Sequence, residues 1–75
     1  MKLFELSPDE WGVVVAVRET RPGIRGRLYD IGVTEGSRIG CVMRSPLGDP
    51  TAYSIRGAIF ALRDEDAGSI DIIRV

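Results

Sequence analysis

Seventy-five residues with 44% hydrophobic side chains supply one domain, 1–75, with one small core. Ten basic against eleven acidic residues leave a net charge of −1, no uniform field to draw in a nucleic-acid backbone or an anionic membrane. One cysteine and no histidine exclude an internal disulfide and a closed zinc site within one copy, and no uninterrupted apolar run approaches the roughly 18 residues of a membrane span.

The opening "MKLFELSPDEW" interrupts its apolar residues with Glu5, Asp9 and Glu10, so neither a signal peptide nor a membrane insertion is expected, and the cytosol is the natural compartment. "WGVVVAV", Trp11 to Val17, is rich in β-branched residues and bounded by Pro8 and Pro22, which predicts a strand with Trp11, Val13, Val15 and Val17 on one face. The period then changes. Ile24, Leu28 and Ile31 are spaced four and three apart on one side of a short helix, which Gly32 ends in the left-handed conformation.

After the "TEG" turn, "SRIGCVMR" alternates into a second strand with Ile39, Cys41 and Met43 on one face. "SPLGDP" is dense in turn residues and predicts a hairpin tip. "TAYSIR" and "AIFALR" read as third and fourth strands, with Gly57 bending a continuous chain between two sheets, although helix competes for the second of them. "DEDAG" reads as a single helical turn and "SIDIIRV" as a last strand. The expected fold is mainly β, a small closed or nearly closed five-stranded barrel, with one short helix after the first strand and one helical turn before the last. Val13, Val15, Leu28, Ile31, Ile39, Met43, Ile55, Leu62 and Ile72 form its predicted core.

Motifs that carry chemistry are sparse. "GIRG" at Gly23 to Gly26 is similar to a loop that clamps RNA backbones, but the charge balance and the strand order argue against it. Pro46 and Pro50 are explained by the turn between strands, and Cys41 by an inward, inert thiol. Asp64, Glu65 and Asp66 read as solvated carboxylates at a helix start rather than a cation site. No glycine-rich phosphate loop and no nucleophile with its base is present, so no enzymatic role, metal site or cofactor is expected.

"RLYDIGVTEGSRI", from Arg27 to Ile39, resembles the signature of the FeoA family: a helix ending in an apolar residue and glycine, then a turn, then glycine, two residues and isoleucine. "GDP", the "RG" at Arg56 and Gly57, the "ALR" at Ala61 to Arg63 and the "DA" at Asp66 and Ala67 follow in the family's order, so the resemblance spans essentially the whole chain. Ile31 stands where leucine is common, and Gly68 where a larger residue is common. The resemblance implies an SH3-like barrel and a cytosolic regulatory interaction module of bacterial ferrous iron uptake. Its implied partner is the cytosolic part of a FeoB-type GTP-binding membrane transporter. The alternative is an SH3-like accessory domain working with a metal-dependent transcriptional repressor, for which no helix-turn-helix is present in this sequence.

Nine of the ten basic residues are arginine, which forms forked contacts with carboxylates. Arg25, Arg27 and Tyr29, off the apolar helix face, and Leu47, at the hairpin tip, are therefore the expected partner-binding residues. The bland reading of the first three is a solvated helix face with an Arg27 to Asp30 pair. Weak self-association is compatible with the same surface.

Overall fold

A computed structural model describes residues 1–75. A 3₁₀ turn at Leu3–Glu5 precedes β1 (Trp11–Val17), α1 (Ile24–Asp30), β2 (Arg38–Arg44), β3 (Thr51–Ile55), β4 (Ala58–Leu62), α2 (Asp64–Ala67) and β5 (Ile70–Arg74). The strands form one antiparallel sheet in the order β4-β3-β2-β1-β5, so β5 returns beside β1 and the curled sheet leaves β4 and β5 as its edges. No β4–β5 ladder closes the barrel. The five strands and two helical segments lie where the sequence places them.

The inward faces differ from the alternation read along two strands. In β1 the register shifts between Val14 and Ala16, so Gly12, Val14 and Val17 face inward while Val15 is 49% exposed. Trp11 lies on the outer face, Val13 is half-buried, and only Val17 of the expected face is in the core. Three consecutive valines satisfy either phase equally, so alternation could not choose between them. In β2 the register shifts between Cys41 and Met43. Ile39 and Cys41 stay buried, but Met43 is turned out to 57% exposure and Arg44 takes the inward phase in its place. A bulge adds one residue and inverts every face beyond it.

Gly57 does not bend a continuous strand. Arg56 (φ 51°) and Gly57 (φ 79°) form a two-residue turn, Ile55 pairs with Ala58, and the chain reverses into an ordinary hairpin. The tip between β2 and β3 is a turn, as expected, with Ser45 accepting from the Gly48 N–H at 2.8 Å through its carbonyl.

The core holds Val14, Ile24, Leu28, Val33, Ile39, Tyr53, Ile55, Ile70 and Ile72, joined by Leu3 and Leu6, both fully buried. Those two leucines close the underside of the sheet. The Met1 carbonyl accepts from the Ile72 N–H at 2.7 Å, and the terminal ammonium donates to the Ile72 carbonyl at 3.1 Å, so the first residues lie along the outer edge of β5.

α1 is fixed at both ends. The Glu19 carboxylate accepts from the N–H groups of Arg25 (2.7 Å) and Gly23 (3.3 Å), satisfying donors that a helix start leaves unpaired. The Arg25 N–H, more than any other group, holds the Glu19 carboxyl below the usual carboxylate range. At the other end Gly32 (φ 103°) donates to Tyr29, and Val33 donates to Leu28 at 2.9 Å. This crossed pair ends the helix through a left-handed residue, and buried Val33 and Leu28 supply the apolar contact that accompanies it.

Candidate interaction surface

The largest concavity is a groove of about 380 Å³ between α1 and β4. Its floor is apolar: Ile24, Leu28 and Ile31 come from the helix stripe read in the sequence, Phe60 and Leu62 from the inner face of β4. Arg21, Arg27 and Arg63 stand around it together with Glu65 and Asp66. The charges are not equivalent. Arg21 forms a two-pronged pair with Asp66, Nε at 3.0 Å and Nη2 at 3.1 Å, whereas Arg27 and Arg63 make no ion pair or side-chain hydrogen bond. Asp66 is 8% exposed, so this member of the acidic triplet is not the solvated carboxylate expected but half of a partly buried pair. Its partner lies 45 residues away in sequence, beyond the reach of local pattern.

The four expected contact residues fall in three places. Arg27 flanks the apolar stripe of α1 on the groove side. Arg25 and Tyr29, four residues apart, share the opposite flank of the helix. Tyr29 donates its hydroxyl to the Glu35 carboxylate at 3.0 Å, and that hydrogen bond, first among its neighbours, raises the phenol above its ordinary value. No Arg27–Asp30 ion pair forms; the four ion pairs are Lys2–Asp71, Arg18–Asp71, Arg21–Asp66 and Arg74–Glu10. Leu47 is 94% exposed at the β2–β3 tip, away from the helix.

Sequence reading places Phe60 at the border of the core, where it packs, but misses that Phe60 and Arg63 line a groove and that β4 lies at an edge. An uncharged "AIFAL" was visible, but whether a strand lies at an edge is decided by pairing, not by its own residues. Elsewhere, Cys41 is buried, and burial pushes its thiol up. The Tyr53 phenol, fully buried, is pushed up to about 12, mainly by the same desolvation. Neither is ionised near neutrality. No three acidic, cysteine or histidine side chains gather where they could hold a metal ion. No helix is long and apolar enough to cross a membrane.

Comparison with known proteins gives this geometry a family. The chain is 38% identical over 72 residues to an Fe(2+) transport protein A/Fe(2+) transporter FeoB fusion protein of Porphyromonas gingivalis, covering 96% of this chain and 8% of that relative. The chain therefore spans under a tenth of the length of that curated protein. The solution structure of a Chlorobium tepidum FeoA protein superposes with a TM-score of 0.91 at 31% identity, over 100% of this chain and 70% of that one. The crystal structure of Stenotrophomonas maltophilia FeoA complexed with zinc, a prokaryotic SH3 domain protein, gives 0.87 at 28% identity, over 97% and 89%. The fold is SH3-like, the FeoA domain model matches residues 1–74, and the chain belongs to the FeoA family of ferrous iron transport.

Proposed function

We propose that this domain is a cytosolic accessory module of bacterial ferrous iron uptake that regulates a FeoB-type transporter by binding its cytosolic part. The observation that carries the reading is the Porphyromonas gingivalis relative, in which an FeoA-like segment and FeoB occupy one chain. Tethering raises the effective concentration of two modules to about the millimolar range, so fusion is useful when a weak mutual contact has to be kept populated. The structure offers contact groups rather than chemistry: exposed arginines, a tyrosine and an apolar groove on a rigid sheet. Iron is cargo of the transporter in this reading, and the domain itself performs no catalytic step.

Arg25, Arg27, Tyr29 and Leu47 are the contact residues assigned to this module. Service beside a metal-dependent repressor would need a helix-turn-helix, which residues 1–75 do not contain, and the 38% identity to a transport protein favours the transporter.

Co-purification of the domain with a FeoB-type cytosolic domain tests the reading. Binding is expected with the native sequence, and a loss of about tenfold, worth roughly 1.4 kcal/mol, when the four residues are replaced by alanine. No binding by the native domain, together with undiminished ferrous uptake in cells lacking it, overturns the proposal.

A further inference from the structure

The two edges of the sheet are treated differently. Along β5, Met1 exchanges both backbone hydrogen bonds with Ile72, and Lys2 forms a bridge with Asp71. Nothing lies along β4. Its pairing with β3 runs without a bulge from Ile55–Ala58 to Thr51–Leu62. Across a two-residue hairpin the flanking pair is the hydrogen-bonded one and pairs then alternate, so Ala58, Phe60 and Leu62 point their backbone groups at β3. The N–H and C=O groups of Ile59 and Ala61 point away, and no turn, loop or cap hydrogen bond reaches them. Exposed edges are normally blunted by lysine, proline, a bulge or a covering segment. β4 reads AIFAL, has none of these, and leaves Ile59 60% exposed.

Three arginines without an ion pair surround this edge, against free Glu65 in the groove and Asp49 beside Arg63 at the far end of the strand. Arg63 follows the last residue of β4, and Arg56 precedes its first residue, lying over Gly32 at the end of α1. Arg27 faces the strand across the groove. None of the three has a side-chain partner, while of the two acids lining the groove Asp66 is occupied by Arg21 and only Glu65 is free.

We propose that the outer edge of β4 and the adjoining groove receive an extended acidic segment of a partner protein as a sixth strand. Main-chain hydrogen bonds to Ile59 and Ala61 supply the pairing. Alternate acidic side chains meet Arg27 and the arginines at the ends of β4, and the intervening apolar ones lie beside Ile59 and Ala61 on the outer face. This rests on the reading of the domain as a protein-interaction module and names the surface that does the work.

The test is an amide NMR titration of the 75-residue chain with a capped octapeptide of alternating valine and glutamate, and with its glutamine counterpart. Saturable shifts centred on Ile59 and Ala61, and at least tenfold weaker binding of the glutamine peptide, are expected. Ala61→Pro removes an outward N–H that has no partner, so the fold is retained and peptide affinity falls at least tenfold. Arg27→Glu with Arg63→Glu is the second variant, leaves the backbone untouched, and is expected to cause the same loss. Equal binding of both peptides, shifts centred elsewhere, or affinity unchanged in these variants overturns the proposal. So does a concentration-dependent dimer of the chain alone that protects Ile59 and Ala61, which would assign the edge to a second copy. A FeoB-type cytosolic domain that binds native and Ala61→Pro chains equally removes the edge from that contact while the accessory function stands. If it binds neither, the accessory reading falls and the peptide titration decides the edge.

Discussion

The guanidinium of Arg44 donates through Nη2 to the backbone carbonyl of Leu6 at 2.8 Å, and the same nitrogen reaches the Phe4 carbonyl at 2.7 Å. One side chain at the end of β2 thereby satisfies the acceptors that the 3₁₀ turn leaves open and holds Leu3 and Leu6 beneath the sheet. Hydrogen bonds from a charged donor to a carbonyl are each worth about 1.5–3 kcal/mol, and methionine would fill the space while leaving those carbonyls unpaired. Arg44→Met is therefore expected to lower stability by about 2 kcal/mol, read as a reduced urea midpoint with an unchanged slope. A midpoint equal to that of the native chain would mean that the turn is held by its leucines alone.

Those leucines have a testable weight of their own. Leu3 is 0% exposed and Leu28 1%, although one sits in a three-residue turn and the other on the principal helix. Burial, not the length of the element, sets the cost of truncation, so Leu3→Ala and Leu28→Ala should each destabilise by about 2–5 kcal/mol. Denaturant melts giving a neutral Leu3→Ala beside a costly Leu28→Ala would show that the N-terminal turn is an appendage.

The succession of strands and helices along the chain was legible in the sequence because it depends on local punctuation: Pro22 and Gly32 around α1, the "SPLGDP" turn, and Gly68 before β5. The groove was half legible, since Ile24, Leu28 and Ile31 declared one wall by their spacing. What stayed hidden is non-local. The bulge at Val15 brings Val17 onto the buried side with Val14, the one at Val42 turns Met43 out and Arg44 in, and nothing in "VVV" or "CVM" marks an inserted residue. Leu3 and Leu6 belong to a turn too short to show a period. The Arg21–Asp66 pair and the free edge of β4 exist only once the chain has closed on itself.

Gly40 shows why a small residue is needed within β2. A Cβ there would stand 2.7 Å from two carbons of the Trp11 indole, which lies flat on the strand with the Arg38 guanidinium 6.0 Å from its ring centre. Gly40→Ala should push the indole off the sheet and cost about 1–3 kcal/mol. In a Trp11→Ala background the obstacle is gone, so the same substitution should become nearly neutral. A double-mutant cycle checks this, with tryptophan fluorescence reporting the displacement; additive costs would place the constraint elsewhere.

At Gly32 the constraint is the backbone. Its φ of 103° is rarely adopted by residues with a side chain, and a Cβ would also stand 2.5 Å from Arg56 Cδ. Because Arg56 is long and exposed it can move aside, whereas the dihedral cannot relax without undoing the bonds that end α1. Gly32→Val is thus expected to destabilise by at least about 1 kcal/mol, and Arg56→Ala should not rescue it. Rescue by Arg56→Ala in chemical denaturation would assign the cost to the side-chain clash instead.

Acid should loosen the clasp between the N-terminus and β5 at one carboxylate. Asp71 accepts from Lys2 Nζ at 2.8 Å and from Arg18 Nε at 2.6 Å, and these cations, Lys2 foremost, hold its carboxyl below the usual carboxylate range. A carboxyl whose value is lower folded than unfolded contributes its stability fully above the unfolded value, about 3.9, and loses it as pH falls through the folded value. Lys2 and Arg18 are 37% and 62% exposed, so solvent screens the pairs, and each should be worth only about 0.2–1 kcal/mol. Urea midpoints of the native chain and Asp71→Asn should accordingly differ by a constant amount from pH 7 down to about 5 and converge below about 4. Salt should narrow the gap at neutral pH, since exposed pairs are screened. A difference that persists unchanged to pH 2, below any ordinary carboxyl value, would show that the Asp71 charge does not hold the clasp.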